Sequence, residues 1–162
     1  ACFNKVALLF SRKVIDAPAG RNVTALTRKG SAFDAIVRPA NRDAAIVFIG
    51  GAHARALEEE GGRAAVTFGL SALAEIFGDD LRGALAQSDA TRWGRDPYAL
   101  GSWSVARPGH ADKRAVLAQP HHDRVFFAGE ATDPVWATRV GGAYASGLRA
   151  AREALAVLGG KR

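Results

Sequence analysis

The chain of 162 residues contains no methionine and one cysteine, Cys2. A single thiol excludes an internal disulfide and any Cys-x-x-Cys zinc arrangement, which points to a reducing compartment and away from a secreted scaffold. Cytoplasm is the expected location. No apolar run approaches the ~20 residues that a membrane span needs, and the amino end lacks a basic region followed by an apolar core and cleavage site. No membrane association is expected. The net charge of +6 is spread over arginines scattered among acids, without a block of five or more like charges. Nucleic acid is therefore not an expected partner. A chain without Met that opens inside a strand-like run, "ACFNKVALLF", reads as the trailing part of something longer, a processed subunit or a truncated chain.

What is present suffices for one domain with a real core, since 48% of the residues are apolar. Phe3 to Phe10 alternates, with Val6, Leu8 and Phe10 on one face and Lys5, Ala7 and Leu9 on the other, so Lys5 points to an apolar side. "NVTAL" and "SAFDAIVR" read as strands around the turn signal Arg28-Lys29-Gly30. "AAIVFIGG" reads as a covered strand stopped by Gly50-Gly51. From Ala52 the pattern turns helical. Val66, Leu70, Leu73 and Phe77 form an amphipathic stripe ending at Gly78, and Glu58-Glu59-Glu60 is expected to be a solvated helical face. Ala86 to Trp93 reads as a further strand. "GRDPYALGSWSVARPG" is a long aromatic loop of the kind that is usually functional. Val125 to Ala128 is expected to be a buried strand, and Tyr144, Leu148, Ala151, Leu155 and Leu158 mark one face of a long final helix. The fold class expected is mixed α/β (α+β), a mixed sheet with amphipathic helices and a long C-terminal helix.

Chemistry concentrates in "RVFFAGEATDPVWATRVGGAYASGLRAA", Arg124 to Ala151. A helix amino end carries unpaired N–H groups and about half a positive charge, and so attracts anionic groups. Gly141 and Gly142 remove side chains there. They either let a flat group sit against the backbone or serve only to pack the helix tightly on a neighbour. Glu130 follows the expected strand and Gly129. Its carboxylate either accepts hydrogen bonds from ligand hydroxyls or caps a turn. The four histidines form no metal spacing with Cys2 or an acid pair, so no metal is expected. Ser102 and Ser104 lack a convincing His/Asp partner, which disfavours a hydrolase.

"RVFFAGEAT" followed by "GGAYASGLRAAREAL" is similar to the C-terminal signature of the flavin-dependent amine oxidase family, which includes monoamine, polyamine and L-amino-acid oxidases and lysine-specific histone demethylases. "WGRDPYALGSWSVARPG" resembles the loop that precedes that signature, and "FNKVALLF" resembles the family's lysine-bearing strand. The blocks stand in the right order from Phe3 to Leu155. The resemblance implies the C-terminal part of a two-domain FAD-dependent fold. Residues 1–118 would belong to the substrate-binding portion and residues 119–162 to the FAD-binding strand and helix. The missing N-terminal half becomes the expected partner, with a homodimer also possible.

Residue by residue, Gly129 and Glu130 match the contact to the ribityl and pyrophosphate region of FAD. Arg139, Val140 and Gly141, with Gly142 behind them, match the backbone that approaches the pyrimidine edge of the flavin. Lys5 matches the catalytic lysine that holds a water near flavin N5. Trp103 falls where one wall of the substrate's aromatic cage stands, and Trp93 and Trp136 match packing residues around the cofactor. The departures are specific. Arg139 stands where monoamine oxidases carry the second cage tyrosine, which suits a substrate carboxylate. Ser102 replaces their flavin-linking cysteine, so FAD would be non-covalent. Val14-Ile15 replaces an aromatic pair, and no G-x-G-x-x-G follows a strand. The implied activity is oxidation of an amine or amino acid to an imine, with O2 reduced to H2O2. The alternative is a catalytically inactive fragment or interaction module that keeps the fold without cofactor.

Overall fold

The computed structural model describes residues 1–28 and 30–160, so Lys29 of the expected turn lies outside the described residues. The chain divides into two units, Ala1–Ser102 and Trp103–Arg162.

The first unit is built on a five-stranded sheet: β1 (Phe3–Phe10), β2 (Arg21–Leu26), β3 (Ala32–Val37), β4 (Ala44–Gly50) and β5 (Leu85–Ala90). The spatial order is β2-β3-β4-β1-β5, and every pairing is antiparallel. Strict alternation sends Val6, Leu8 and Phe10 of β1 into the core together with Ala45, Val47 and Ile49 of β4. Helices α1 (Gly51–Glu60), α2 (Gly62–Phe77) and α3 (Asp80–Ala84) complete this unit. Gly61, with φ of 107°, separates α1 from α2 in a conformation that L side chains rarely adopt. α2 lies on β1 and β5 and contributes Ala65, Leu70 and Leu73, with Leu57 from α1 and Leu81 from α3.

One expectation about this unit fails. Glu58 is 5% exposed, while Glu59 and Glu60 are solvated. At 3.6 residues per turn, Glu58 sits beside Leu57 and four residues after Ala54 on the inward face, where it receives hydrogen bonds.

The second unit contains α4 (Lys113–Leu117), a short 3-10 turn at Glu130–Thr132, and α5 (Val140–Gly159). One expectation fails here. Val125 to Ala128 forms no strand: a single bridge pairs His121 with Val125, and Val125 and Phe127 are exposed. A strand needs a neighbour to take up its N–H and C=O groups, and among the described residues the Phe127 carbonyl is instead capped by Arg149 (2.8 Å). The long final helix forms as expected, with its apolar face turned outward. Tyr144, Leu148, Leu155 and Leu158 are exposed, whereas Gly142, Ser146 and Ala150 are buried. Small residues let the helix approach its own loop closely, while the larger ones stay at least 42% exposed.

Candidate functional site

The site begins where extended backbone at Arg139 (φ −123°, ψ 154°) turns into α5. The amides of Gly142 and Ala143 reach back to the Arg139 carbonyl. Those of Val140 and Gly141 meet no acceptor among the described residues, as the first turn of a helix leaves them. Arg139 and Gly141 are exposed, Val140 is 88% exposed, and the Arg139 guanidinium lies 5.8 Å from the Trp136 ring.

The two glycines differ. A Cβ on Gly142 would collide with the Trp136 carbonyl oxygen and stand 3.3 Å from Asp133 Cβ, so tight packing accounts for its size. A Cβ on Gly141 would meet nothing within 4 Å. Among the described residues no contact requires Gly141 to be small.

Below this helix end lies Glu130. Gly129, at φ 133°, takes a backbone conformation that L side chains rarely adopt. Its amide donates to Ser146 Oγ (2.9 Å), which in turn donates to the Ala143 carbonyl (2.8 Å). Buried Ser146 thereby ties the Gly129–Glu130 turn to α5. Glu130 Oε2 accepts from Ser104 Oγ (2.7 Å) and from the Thr138 amide (2.7 Å), and Arg114 Nη1 lies 3.8 Å away. Oε1 accepts from the Ser104 amide (2.7 Å). Arg114 also donates to Ser104 Oγ (2.6 Å) and to the Ala131 carbonyl (3.2 Å). Burial by itself pushes the Glu130 carboxyl up, but the Ser104 side-chain and backbone donors, the Thr138 amide and the Arg114 charge outweigh it. The net result is a carboxyl held below its ordinary range. Thr138 has φ 67°, a strained state for a β-branched residue, and its amide bond to Glu130 helps to hold it there.

A second guanidinium gathers the rest of the unit. Arg149 donates to the carbonyls of Ala118 (2.9 Å) and Phe127 (2.8 Å) and to Thr132 Oγ1 (3.0 Å), and it pairs with Glu153 at 3.0 Å. Gly129, Glu130, Arg139, Val140, Gly141 and Gly142 thus come together, with Trp103, 39% exposed, next to Ser104.

Lys5 belongs to the sheet unit. It lies on the face of β1 opposite the core, paired with Phe48, and its Nζ is 5.9 Å from the Phe48 ring centroid. Ser102 acts locally, accepting from the Phe3 amide (2.9 Å) and donating to the Phe3 carbonyl (2.6 Å). Sequence reading missed Ser104, Arg114, Thr138, Ser146 and Arg149 as site residues. Ser146 and Arg149 stand at i,i+3 on α5, but Ser104, Arg114 and Thr138 follow no helical or strand period, and arginine is among the commonest residue types in this chain.

Whether these residues suit a flavin can be tested on the donors. The open amides of Val140 and Gly141, with space above Gly141, suit a flat, electron-rich ring edge. Glu130 suits a ligand hydroxyl through Oε1 alone, because Oε2 already accepts two hydrogen bonds. Among the described residues no group of three or more His, Cys, Asp or Glu side chains converges as metal ligands would, and no described helix is long and apolar enough to cross a membrane.

A family model described as flavin-containing amine oxidoreductase matches residues 3–155. Among similar proteins, lysine-specific histone demethylase 1 homolog 2 of Oryza sativa subsp. japonica is 46% identical over 70 residues, covering 43% of this chain and 9% of that protein. Lysine-specific histone demethylase 1 homolog 3 of Arabidopsis thaliana is 37% identical over 94 residues, covering 57% of this chain and 6% of that protein. Protein FLOWERING LOCUS D of Arabidopsis thaliana is 46% identical over 67 residues, covering 40% and 8%. The matched stretch is a small part of each relative.

Proposed function

The chain belongs to the flavin-containing amine oxidoreductase family, and from that premise we propose that it is the C-terminal portion of an FAD-dependent amine or amino-acid oxidase. The observation that carries this reading is the open amino end of α5, where two amides without acceptors among the described residues adjoin the unfilled space at Gly141. When bound, the flavin would supply the redox chemistry, accepting a hydride equivalent from the carbon bearing the amine and passing both electrons to O2 to give H2O2.

In this reading residues 119–162 serve the cofactor and residues 1–118 the substrate side. The α5 amides and the helix dipole stabilise negative charge at the pyrimidine edge. Glu130 Oε1 accepts from a ribityl or ribose hydroxyl, while Oε2 keeps the Ser104 and Thr138 segments in place. Lys5 holds a water on the side of the sheet away from the core. Trp103 walls the amine. The departing imine is hydrolysed by water and needs no acid–base residue from this chain beyond Lys5 and its water.

Arg139 favours a substrate carboxylate. The relatives' names instead point to lysine side chains on histones, and a substrate panel of amino acids, simple amines and methylated lysine peptides separates the two. Lys5→Met in the complete flavoenzyme should slow flavin reduction or reoxidation while leaving the flavin bound. Unchanged stopped-flow rates would remove Lys5 from the site.

The exposed apolar face of α5 favours a second reading, an interaction module without cofactor. The chain has no Gly-rich phosphate cradle, and each charge-assisted contact it would have provided is worth roughly 1.5–3 kcal/mol. The 162-residue chain alone is therefore expected to purify colourless, to produce no amine-dependent H2O2 and to dimerise. Stoichiometric flavin retained through gel filtration would show instead that this part of the site suffices.

A further inference from the structure

The sheet unit holds a buried polar network that the proposed chemistry does not use. Asn4 and Glu58 are 3% and 5% exposed. Asn4 Nδ2 donates to Glu58 Oε1 (2.7 Å), and the Gly94 amide donates to the same oxygen (3.0 Å). Asn4 Oδ1 accepts from the Trp93 amide (3.3 Å) and from Thr91 Oγ1 (3.3 Å). Thr91 Oγ1 in turn accepts the Lys5 amide (2.9 Å), and the Thr91 amide donates to the Lys5 carbonyl (2.9 Å). Both backbone groups of Lys5 are thus committed to Thr91, Thr91 to Asn4, and Asn4 to Glu58. A Cβ on Gly94 would collide with the Glu58 carboxyl, so this residue and the carboxyl are fitted to one another. Burial, and after it the adjacent Glu58 carboxyl, pushes the Cys2 thiol up.

A pair of apolar side chains would hold α1 against β1 without the desolvation penalty of a carboxyl and an amide. A satisfied polar network adds direction: the Trp93 and Gly94 amides each meet a side-chain acceptor, so the backbone is fixed in position as well as in depth. The fixed backbone is that of Lys5 and of Thr91 to Gly94, where the aromatic loop begins.

We propose that Glu58 is a positioning residue that acts through Asn4 and Gly94 to fix the backbone of Lys5 and the start of the 93–102 loop. Its bearing on catalysis rests on the reading of Lys5 given above.

Two measurements test it. In the 162-residue chain, Glu58→Leu should speed amide exchange at Thr91, Trp93 and Gly94 roughly tenfold, the loss of about one hydrogen bond, while Val6 and Val47 exchange as before. Glu58→Gln keeps an acceptor oxygen for both N–H donors and should recover wild-type exchange. Unchanged exchange in Glu58→Leu, or a rise that includes Val6 and Val47 equally, overturns the positioning role.

In the complete flavoenzyme, Glu58→Leu should slow flavin reduction or reoxidation in the same step as Lys5→Met, with flavin content and half-saturation by substrate kept, and Glu58→Gln should restore the rate. A wild-type rate in Glu58→Leu beside a slow Lys5→Met overturns the proposal. A wild-type rate in Lys5→Met itself removes Lys5 from the chemistry, and the exchange measurement alone then decides Glu58.

Discussion

The two units are held together by different means. In Ala1–Ser102, alternating strands and two helical stripes drive Val6, Leu8, Val47, Ile49, Leu73 and Leu81 to 0–1% exposure, and burial of apolar area dominates. In Trp103–Arg162 the only buried apolar side chain among the described residues is Ala150; buried beside it are Thr132 and Ser146. There the polypeptide is gathered by Glu130, Arg114, Ser146 and Arg149, each joining segments distant in sequence. A core tolerates approximate chemistry but not lost volume, whereas a polar hub tolerates lost volume but not a missing acceptor. The candidate flavin-side residues lie in the unit of the second kind.

The comparison is broken most readily in the sheet. Leu73→Ala should cost about 2 to 5 kcal/mol in urea unfolding of the chain, whereas Leu155→Ala, on the exposed face of α5, should stay within about 0.5 kcal/mol. A costly Leu155→Ala would mean that this face is buried in solution, and a matching dependence on protein concentration would identify a second copy as its cover.

Next in size is Gly142→Ala, which drives a methyl into the Trp136 carbonyl and should destabilise the second unit by roughly 1 to 3 kcal/mol. Thermal unfolding followed by amide signals from Thr138 and Ala143 would register it. A neutral outcome would show that the 136–139 loop yields.

Glu130→Gln should cost about 1 to 2 kcal/mol at neutral pH, and its acid behaviour sharpens the contrast further. The folded carboxyl lies below its unfolded value, near 4.3. Its stabilisation is therefore complete above that value and is lost as pH falls through the lower folded one. Urea unfolding between pH 7 and pH 3, read at the Ser104 and Thr138 amides, should show a flatter acid limb in the variant. Equal acid sensitivity in both proteins would place the acid-labile group elsewhere.

The smallest effect is expected of Gly141→Ala. With nothing within 4 Å of the new Cβ, the chain should be unchanged or stabilised by up to about 1 kcal/mol, while the complete enzyme should bind flavin less tightly. Unaltered flavin affinity would detach Gly141 from the cofactor.

How much of this was legible depended on periodicity. β1, β3 and β4 carry period-two patterns, and α2 a period near 3.6, because each packs one face on a core within the same chain. The same rule gave α5 as a helix but misled at Val125–Ala128, where apolar residues have no described partner to bury them. It misled at Glu58 too, where composition suggested solvent and a buried amide made the difference. In the second unit Gly129, Glu130 and the helix entry are candidates through resemblance. The partners of Glu130 are not, since Ser104, Arg114 and Thr138 meet it across loops without a repeat.

Lys5 owes its orientation to arithmetic. β1 is paired on both sides, with β4 and with β5, and neighbouring side chains leave its plane in opposite directions. A slip of one residue in the register of this strand would send the lysine inward and turn Val6 out, and a slip of two would restore both.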